Sequence, residues 1–271
     1  MLRRVIAWLL MALLITAFCL SGAAGAAGAA TSTDNGGAPA GDGQPIAVAG
    51  LPNVLIYPPD LAVREKGGAV LKCSPSQDPW ISNDDQLSRT VSDVESLLNE
   101  FAAYPNVRKV LQNIRIYVFP IEVFPAGVLG EPMPFSGVTL SSAPGDEIWV
   151  GVNARYVLPH ELGHMLHYKL LGADGYDWSR IDAEGKAYLA LKNYPGTYRL
   201  DAASQTELPW NQRIAEMFAE DVKAYFLDKY DIIWKNEHGV IDNNTEQYFD
   251  RLLSDPGIEI PEAGTSGSTV G

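Results

Sequence analysis

Along residues 46–260 the apolar positions fall into two rhythms, one dense and one spaced three and four apart. NVLIYP (53–58) is a short apolar run bounded by Asn and Pro, which predicts a buried strand. DDQLSRTVSDVESLLNEFAAYP then carries Leu87, Val91, Val94, Leu98 and Phe101 at helical spacing and predicts an amphipathic helix that Pro105 ends. IRIYVFP (114–120), GVTL (137–140) and EIWVGV (147–152) read as strands punctuated by Ser, Pro and Gly. Two more helices follow, one holding HELGH (160–164) and one, RIAEMFAEDVKAYF, striped by Ile214, Met217, Val222 and Tyr225. This order predicts an α+β domain: a twisted mixed sheet with a backing helix and the HELGH helix, followed by a mainly helical C-terminal lobe. The Met and aromatic positions of these segments are expected in the core.

The ends of the chain read differently. Arg3 and Arg4 precede an apolar run over residues 5–20, and SGAAGAAGAA follows, the layout of a signal peptide (1–27) cleaved between residues 24 and 30. Secretion to the extracellular space is therefore expected. The alternative is a membrane anchor formed by the uncleaved segment, for which the run is short. Phe18 before Cys19 fits lipid modification poorly. Residues 28–45 are small and polar and read as a flexible linker, and 261–271 as a disordered tail. Cleavage beyond Cys19 leaves Cys73 alone, so no internal disulfide is expected and stability must come from a core. A formal net charge of −13 disfavours nucleic acid and anionic lipid as partners, since both would be repelled. A monomer without stable membrane insertion is expected once the signal is removed.

HELGH changes the picture from fold to chemistry. On a helix, positions four apart lie roughly 40° apart around the axis and roughly 6 Å along it, so His160 and His164 can meet on one ion. Glu161 projects beside them, able to reach a metal-bound water without being a ligand. Pro159 suits the first turn of a helix, which predicts a start near Tyr156 or Val157. Gly163 costs about 1 kcal/mol relative to Ala inside a helix, and a close approach by another backbone would explain it.

A third ligand is needed. Position 170 is Leu and position 167 is His, which excludes the metzincin pattern. His167, seven residues after His160, lies roughly 10 Å further along the axis, too far to share the ion, and is expected to pack or hydrogen-bond beside the site. Downstream, Glu216 and Glu220 stand four apart beside an apolar stripe; they read equally as a solvated acidic edge or as site residues.

HELGH followed some fifty residues later by EMFAE resembles the gluzincin metallopeptidases. More narrowly it is similar to the group containing the anthrax lethal factor catalytic domain and the pro-pro endopeptidases, whose pattern is HEFGH and then EFFAE. The resemblance covers the two motif helices and the strand order, under half of the chain. It implies a zincin-like fold over 46–260, zinc (Zn2+) as cofactor, His160, His164 and Glu216 as metal ligands, and Glu161 as catalytic acid/base. Glu220 is similar to a group that orients a liganding His from behind. Those relatives carry a Tyr seven residues before the ligand Glu, where this chain has Pro209; Tyr194 and Tyr198 are the nearest candidates for stabilising an oxyanion.

Rigidity also favours Glu216 over Glu207, Glu184 and Glu220: it is expected about two turns inside a helix beginning near Pro209, with Ala215, Ala219 and Gly163 letting two backbones approach. The expected activity is a zinc metalloendopeptidase, hydrolysing peptide bonds of a protein or peptide substrate through a zinc-bound water activated by Glu161. Substrate is expected to add along GVTL as an extra strand, with Ser141 and Ser142 near the groove. The rival expectation is a secreted or wall-associated binding module with structural zinc, Cys73 supplying the fourth ligand, or an inactive peptidase fold.

Overall fold

The computed structural model describes residues 43–51, 53–75, 77–141, 145–194, 199–228 and 241–258, all within the unit Gly41–Gly271. The signal peptide, almost all of the linker, the tail, Ser142 and Tyr198 lie outside the described residues.

Strands β1 (Ile46–Ala47), β2 (Leu55–Tyr57), β3 (Ile114–Val118), β4 (Gly137–Leu140) and β5 (Asp146–Val150) form one mixed sheet in the order β1-β2-β3-β5-β4. β2, β3 and β5 run parallel, while β1 and β4 pair antiparallel at the two edges. The register sets Ile56, Ile116 and Ile148 in one row and Tyr57, Tyr117 and Trp149 in the next. Because successive side chains alternate across a strand, these rows face opposite ways. The fold is therefore mixed α/β with apolar surface on both sheet faces.

The isoleucine face packs on α2 (Asp84–Phe101) through Val94, Leu98 and Phe101 and on α4 (Ala154–Leu170) through Leu158, Leu162 and Met165. The aromatic face is covered by α1 (Pro59–Cys73), whose Leu61, Ala62 and Val70 meet Tyr57, Tyr117 and Trp149. The sequence reading has no helix at α1, because Gly67 and Gly68 dilute its periodicity; Pro59 at its first position is the local signal that it starts there. Pro105 does not end α2. That helix closes at Phe101, and Pro105 opens the short α3 (Pro105–Val110). Beyond α4 the elements among the described residues are helices: α5 (Ala183–Leu191), α6 (Ala202–Thr206), α7 (Ile214–Asp228) and α8 (Asn243–Ser254). Among the described residues no helix is long and apolar enough to cross a membrane.

Candidate metal centre

The centre is built on two helices in backbone contact. α4 begins at Ala154, earlier than Pro159 suggested, because Ala154 and Leu158 are buried against the sheet and packing extends the helix back. Pro159 consequently sits in the second turn, where it removes the N–H that would bond the residue 155 carbonyl. α7 also differs from expectation. Residues Trp210–Gln212 form a separate 3-10 turn, Arg213 is extended, and α7 starts only at Ile214, whose N–H donates to Gln205 Oε1 at 2.9 Å. Glu216 is thus in the first turn of α7 rather than two turns inside. Its rigidity comes from burial of its neighbours Ala215, Phe218 and Ala219. The approach expected at Gly163 is present: a Cβ there would lie 2.5 Å from Ala219 Cα.

Three donor atoms converge across this contact. His160 Nε2 and His164 Nε2 are 3.1 Å apart, and Glu216 Oε2 lies 3.2 Å from the first and 3.4 Å from the second. Glu216 Oε2 is buried without a well-directed hydrogen bond and aims into the space between the imidazoles. A tetrahedral ion with bonds of about 2.0–2.1 Å would set its ligand atoms roughly 3.3–3.4 Å apart, so this donor set and spacing fit a small divalent metal. Among the described residues, His160, His164 and Glu216 are the group of metal-capable side chains that come together.

Other groups fix these three. Glu220 Oε1 stands 2.9 Å from His160 Nδ1, an oblique contact that nonetheless backs the ring with a carboxylate. Lys223 Nζ donates at 3.1 Å to Glu220 Oε1, the same oxygen that faces His160. His164 Nδ1 meets His167 Nε2 at 3.1 Å, so His167 lies behind a donor ring and is not one of the converging donors. The Tyr176 hydroxyl donates to Glu216 Oε1 at 2.7 Å, which leaves Oε2 turned to the histidines. Arg213 lies over the Tyr176 ring at 5.1 Å, and the Trp210 ring, 45% exposed, stacks on His160 at 5.8 Å.

Glu161 is 4% exposed and faces the edge strand. Thr139 Oγ1 of β4 is 2.9 Å from both the Glu161 carbonyl and its Oε2, and its one proton serves either. Gly137 makes this possible, since a Cβ there would fall 2.8 Å from Glu161 Oε1 and 2.3 Å from Val157 Cγ1.

Burial raises the Glu161 pKa against the lowering pull of His160, His164 and Thr139. Burial alone would lower the His160 pKa, but the nearby carboxylates of Glu216 and Glu220 and the Glu161 charge overcome it and raise it to about 9. Burial likewise opposes ionisation of Glu216, and the two imidazoles outweigh it, holding its carboxyl far below the usual range. Burial pushes the His167 pKa well down.

Of the remaining expectations, Glu207 follows α6 as its cap and Glu184 pairs with Arg251, so neither joins the cluster. Ser141 Oγ donates to Asp146 at 2.9 Å. Tyr194 hydroxyl meets Met217 Sδ at 2.8 Å, on the helix that carries Glu216. Thr139, Tyr176, Trp210 and Arg213 were missed by sequence reasoning. Tyr176 precedes Glu216 by 40 residues and Thr139 precedes Glu161 by 22, and no periodicity links such separations. No family model, curated protein or solved structure matches the chain.

Proposed function

We propose that the chain is a secreted zinc metalloendopeptidase with a zincin-like fold, of the gluzincin kind. The observation that carries this reading is the joint placement of three convergent donors and, beside them, a buried Glu161 tethered to an edge strand. His160, His164 and Glu216 would hold zinc, which when bound polarises a carbonyl and lowers the pKa of a water towards neutrality. Glu161 takes the proton from the attacking water and passes it to the leaving amine nitrogen. Its environment suits this, since burial favours the protonated form that the carboxylate must adopt between the two transfers. Thr139 keeps the carboxylate from turning away, and Glu220 keeps the His160 ring in line.

Substrate binds as an added strand. Among the described residues β4 pairs with β5 along one side and ends the sheet on the other, so an extended peptide can hydrogen-bond the main-chain groups of its outer side. Since Thr139 on β4 touches Glu161, that peptide passes beside the proton acceptor.

The binding-module reading is disfavoured by one observation. A structural zinc site usually fills four positions with Cys and His, yet Cys73 ends α1 near Gly127 and does not join the three donors. Metal analysis together with a fluorogenic peptide library, with and without chelator, tests the proposal. Zinc at one per chain and chelator-sensitive hydrolysis are expected, with Glu161→Gln keeping zinc and losing turnover. Bound zinc without hydrolysis of any peptide would support the binding module, and equal activity in Glu161→Gln would remove Glu161 from the mechanism. Amino-terminal sequencing of exported protein should give a start between residues 24 and 30; an intact terminus in the membrane fraction would mean an anchor.

A further inference from the structure

Behind the two imidazoles of the centre stand unlike partners. His160 Nδ1 has the carboxylate of Glu220 at 2.9 Å, whereas His164 Nδ1 has another imidazole, His167 Nε2, at 3.1 Å. His167 is 2% exposed, with the Trp178 ring 5.5 Å away and the Phe218 ring 6.1 Å away. A polar ring so deep in an aromatic core is costly unless its nitrogens are used.

We infer that His167 is a positioning residue of the metal centre: its Nε2 accepts the N–H of His164 Nδ1 and thereby fixes His164 as a ligand through Nε2. The inference rests on the metal-site reading proposed above. Its direction follows from valence. A neutral imidazole has one N–H, so a ring that offers Nε2 to an ion carries its proton on Nδ1 and must donate there. His164 Nε2 is the nitrogen facing His160 and Glu216, at 3.1 and 3.4 Å, so Nδ1 is the donor and His167 Nε2 the acceptor. With Nε2 accepting, the single N–H of a neutral His167 ring is on Nδ1.

A second observation fits that assignment. His167 Nδ1 and Trp178 Nε1 are both buried without a hydrogen-bond partner among the described residues. Both are N–H donors under this assignment, and two donors cannot bond each other although their ring centroids stand only 5.5 Å apart. The centre is therefore asymmetric. Glu220 adds negative charge behind His160 and raises its basicity, while His167 orients His164 without adding charge.

Zinc-loaded full-length protein labelled with 15N in histidine gives the test by long-range proton–nitrogen correlation. Expected are His164 and His167 both protonated at Nδ1, with His167 Nε2 bare; a proton on His167 Nε2 overturns the inference. Chelator competition gives the second readout. His167→Phe, which keeps the aromatic packing and loses the acceptor, should bind zinc about 10- to 100-fold more weakly. His167→Gln, whose amide oxygen can accept the N–H, should stay within about threefold of the parent. Equal affinities in all three proteins, or equal losses in both variants, would assign the effect to packing and overturn the inference. Stoichiometric zinc binding by the parent is measured first. Its failure would remove the metal-site reading and this inference with it, whereas bound zinc with the tautomers reversed would remove this inference alone.

Discussion

Replacing Gly163 with Ala probes the contact that brings the donors together, and two opposing energies set the outcome. Ala gains about 1 kcal/mol over Gly in a helix interior. Its Cβ, however, would lie 2.5 Å from Ala219 Cα, 3.0 Å from Ala219 Cβ and 3.2 Å from Ala219 O. The closest of these is backbone, so no rotamer change relieves it, and reaching a normal contact of about 3.5 Å requires α4 and α7 to part by about 1 Å. Such overpacking costs about 1–3 kcal/mol, which leaves the net change in metal-free stability near zero to about 2 kcal/mol unfavourable. Zinc affinity should respond more sharply. His160 and His164 ride on α4 and Glu216 on α7, and ligand distances tolerate only about 0.2 Å. Binding must draw the helices back against the clash, so whatever part of that ~1–3 kcal/mol the metal-free protein escapes by letting the helices part appears as an affinity loss, at most about 150-fold. The assay is competition with a chromogenic chelator, run beside urea unfolding in excess chelator. Unchanged zinc affinity with metal-free protein about 1 kcal/mol more stable would refute the reasoning, because it would mean that helix propensity acts there without a clash.

Three further outcomes follow from the same geometry. Glu216→Ala should abolish stoichiometric zinc binding at neutral pH while Glu220→Ala weakens it by about 10- to 100-fold, as metal analysis and competition would show; tight zinc and full activity in Glu216→Ala would refute the assignment. Tyr176→Phe removes a 2.7 Å hydrogen bond to the Glu216 carboxylate, of a kind that contributes about 1.5–3 kcal/mol, so zinc affinity should drop about tenfold or more, and an unchanged constant would show that Glu216 is held by its helix alone. In metal-free protein the His160 pKa is raised from 6.5 to about 9 by its carboxylate partners, so the stability it contributes is full below pH 6.5 and is lost as pH rises through 9. Urea midpoints in excess chelator should fall across that window, and a flat or rising profile would contradict the pairing of His160 with Glu216 and Glu220.

What the sequence determines here is what local geometry determines. The four-residue spacing of His160 and His164 puts both rings on one side of any helix that contains them, and the same spacing does so for Glu216 and Glu220. The edge strand GVTL coincides with β4, and the sheet rows follow from alternation in β2, β3 and β5. Where a boundary depends on distant partners, the local signal fails. Pro209 marks a helix start in isolation, but the Gln205 side chain caps α7 at Ile214 instead, and burial of Ala154 and Leu158 carries α4 back past the position that Pro159 suggested. The helix α1 escapes a periodicity reading because Gly67 and Gly68 weaken its pattern, although the aromatic face of the sheet needs that cover. Glu220 and His167 are within reach of helix spacing, but the other surroundings of the centre belong to the tertiary structure. Tyr176 and Thr139 reach Glu216 and Glu161 from separate loops and strands, and the backbone contact of Gly163 with Ala219 sets how closely the donors meet. Covalent spacing fixes which side chains share a face; only the packing of one element on another decides which faces meet and how many ångströms lie between them.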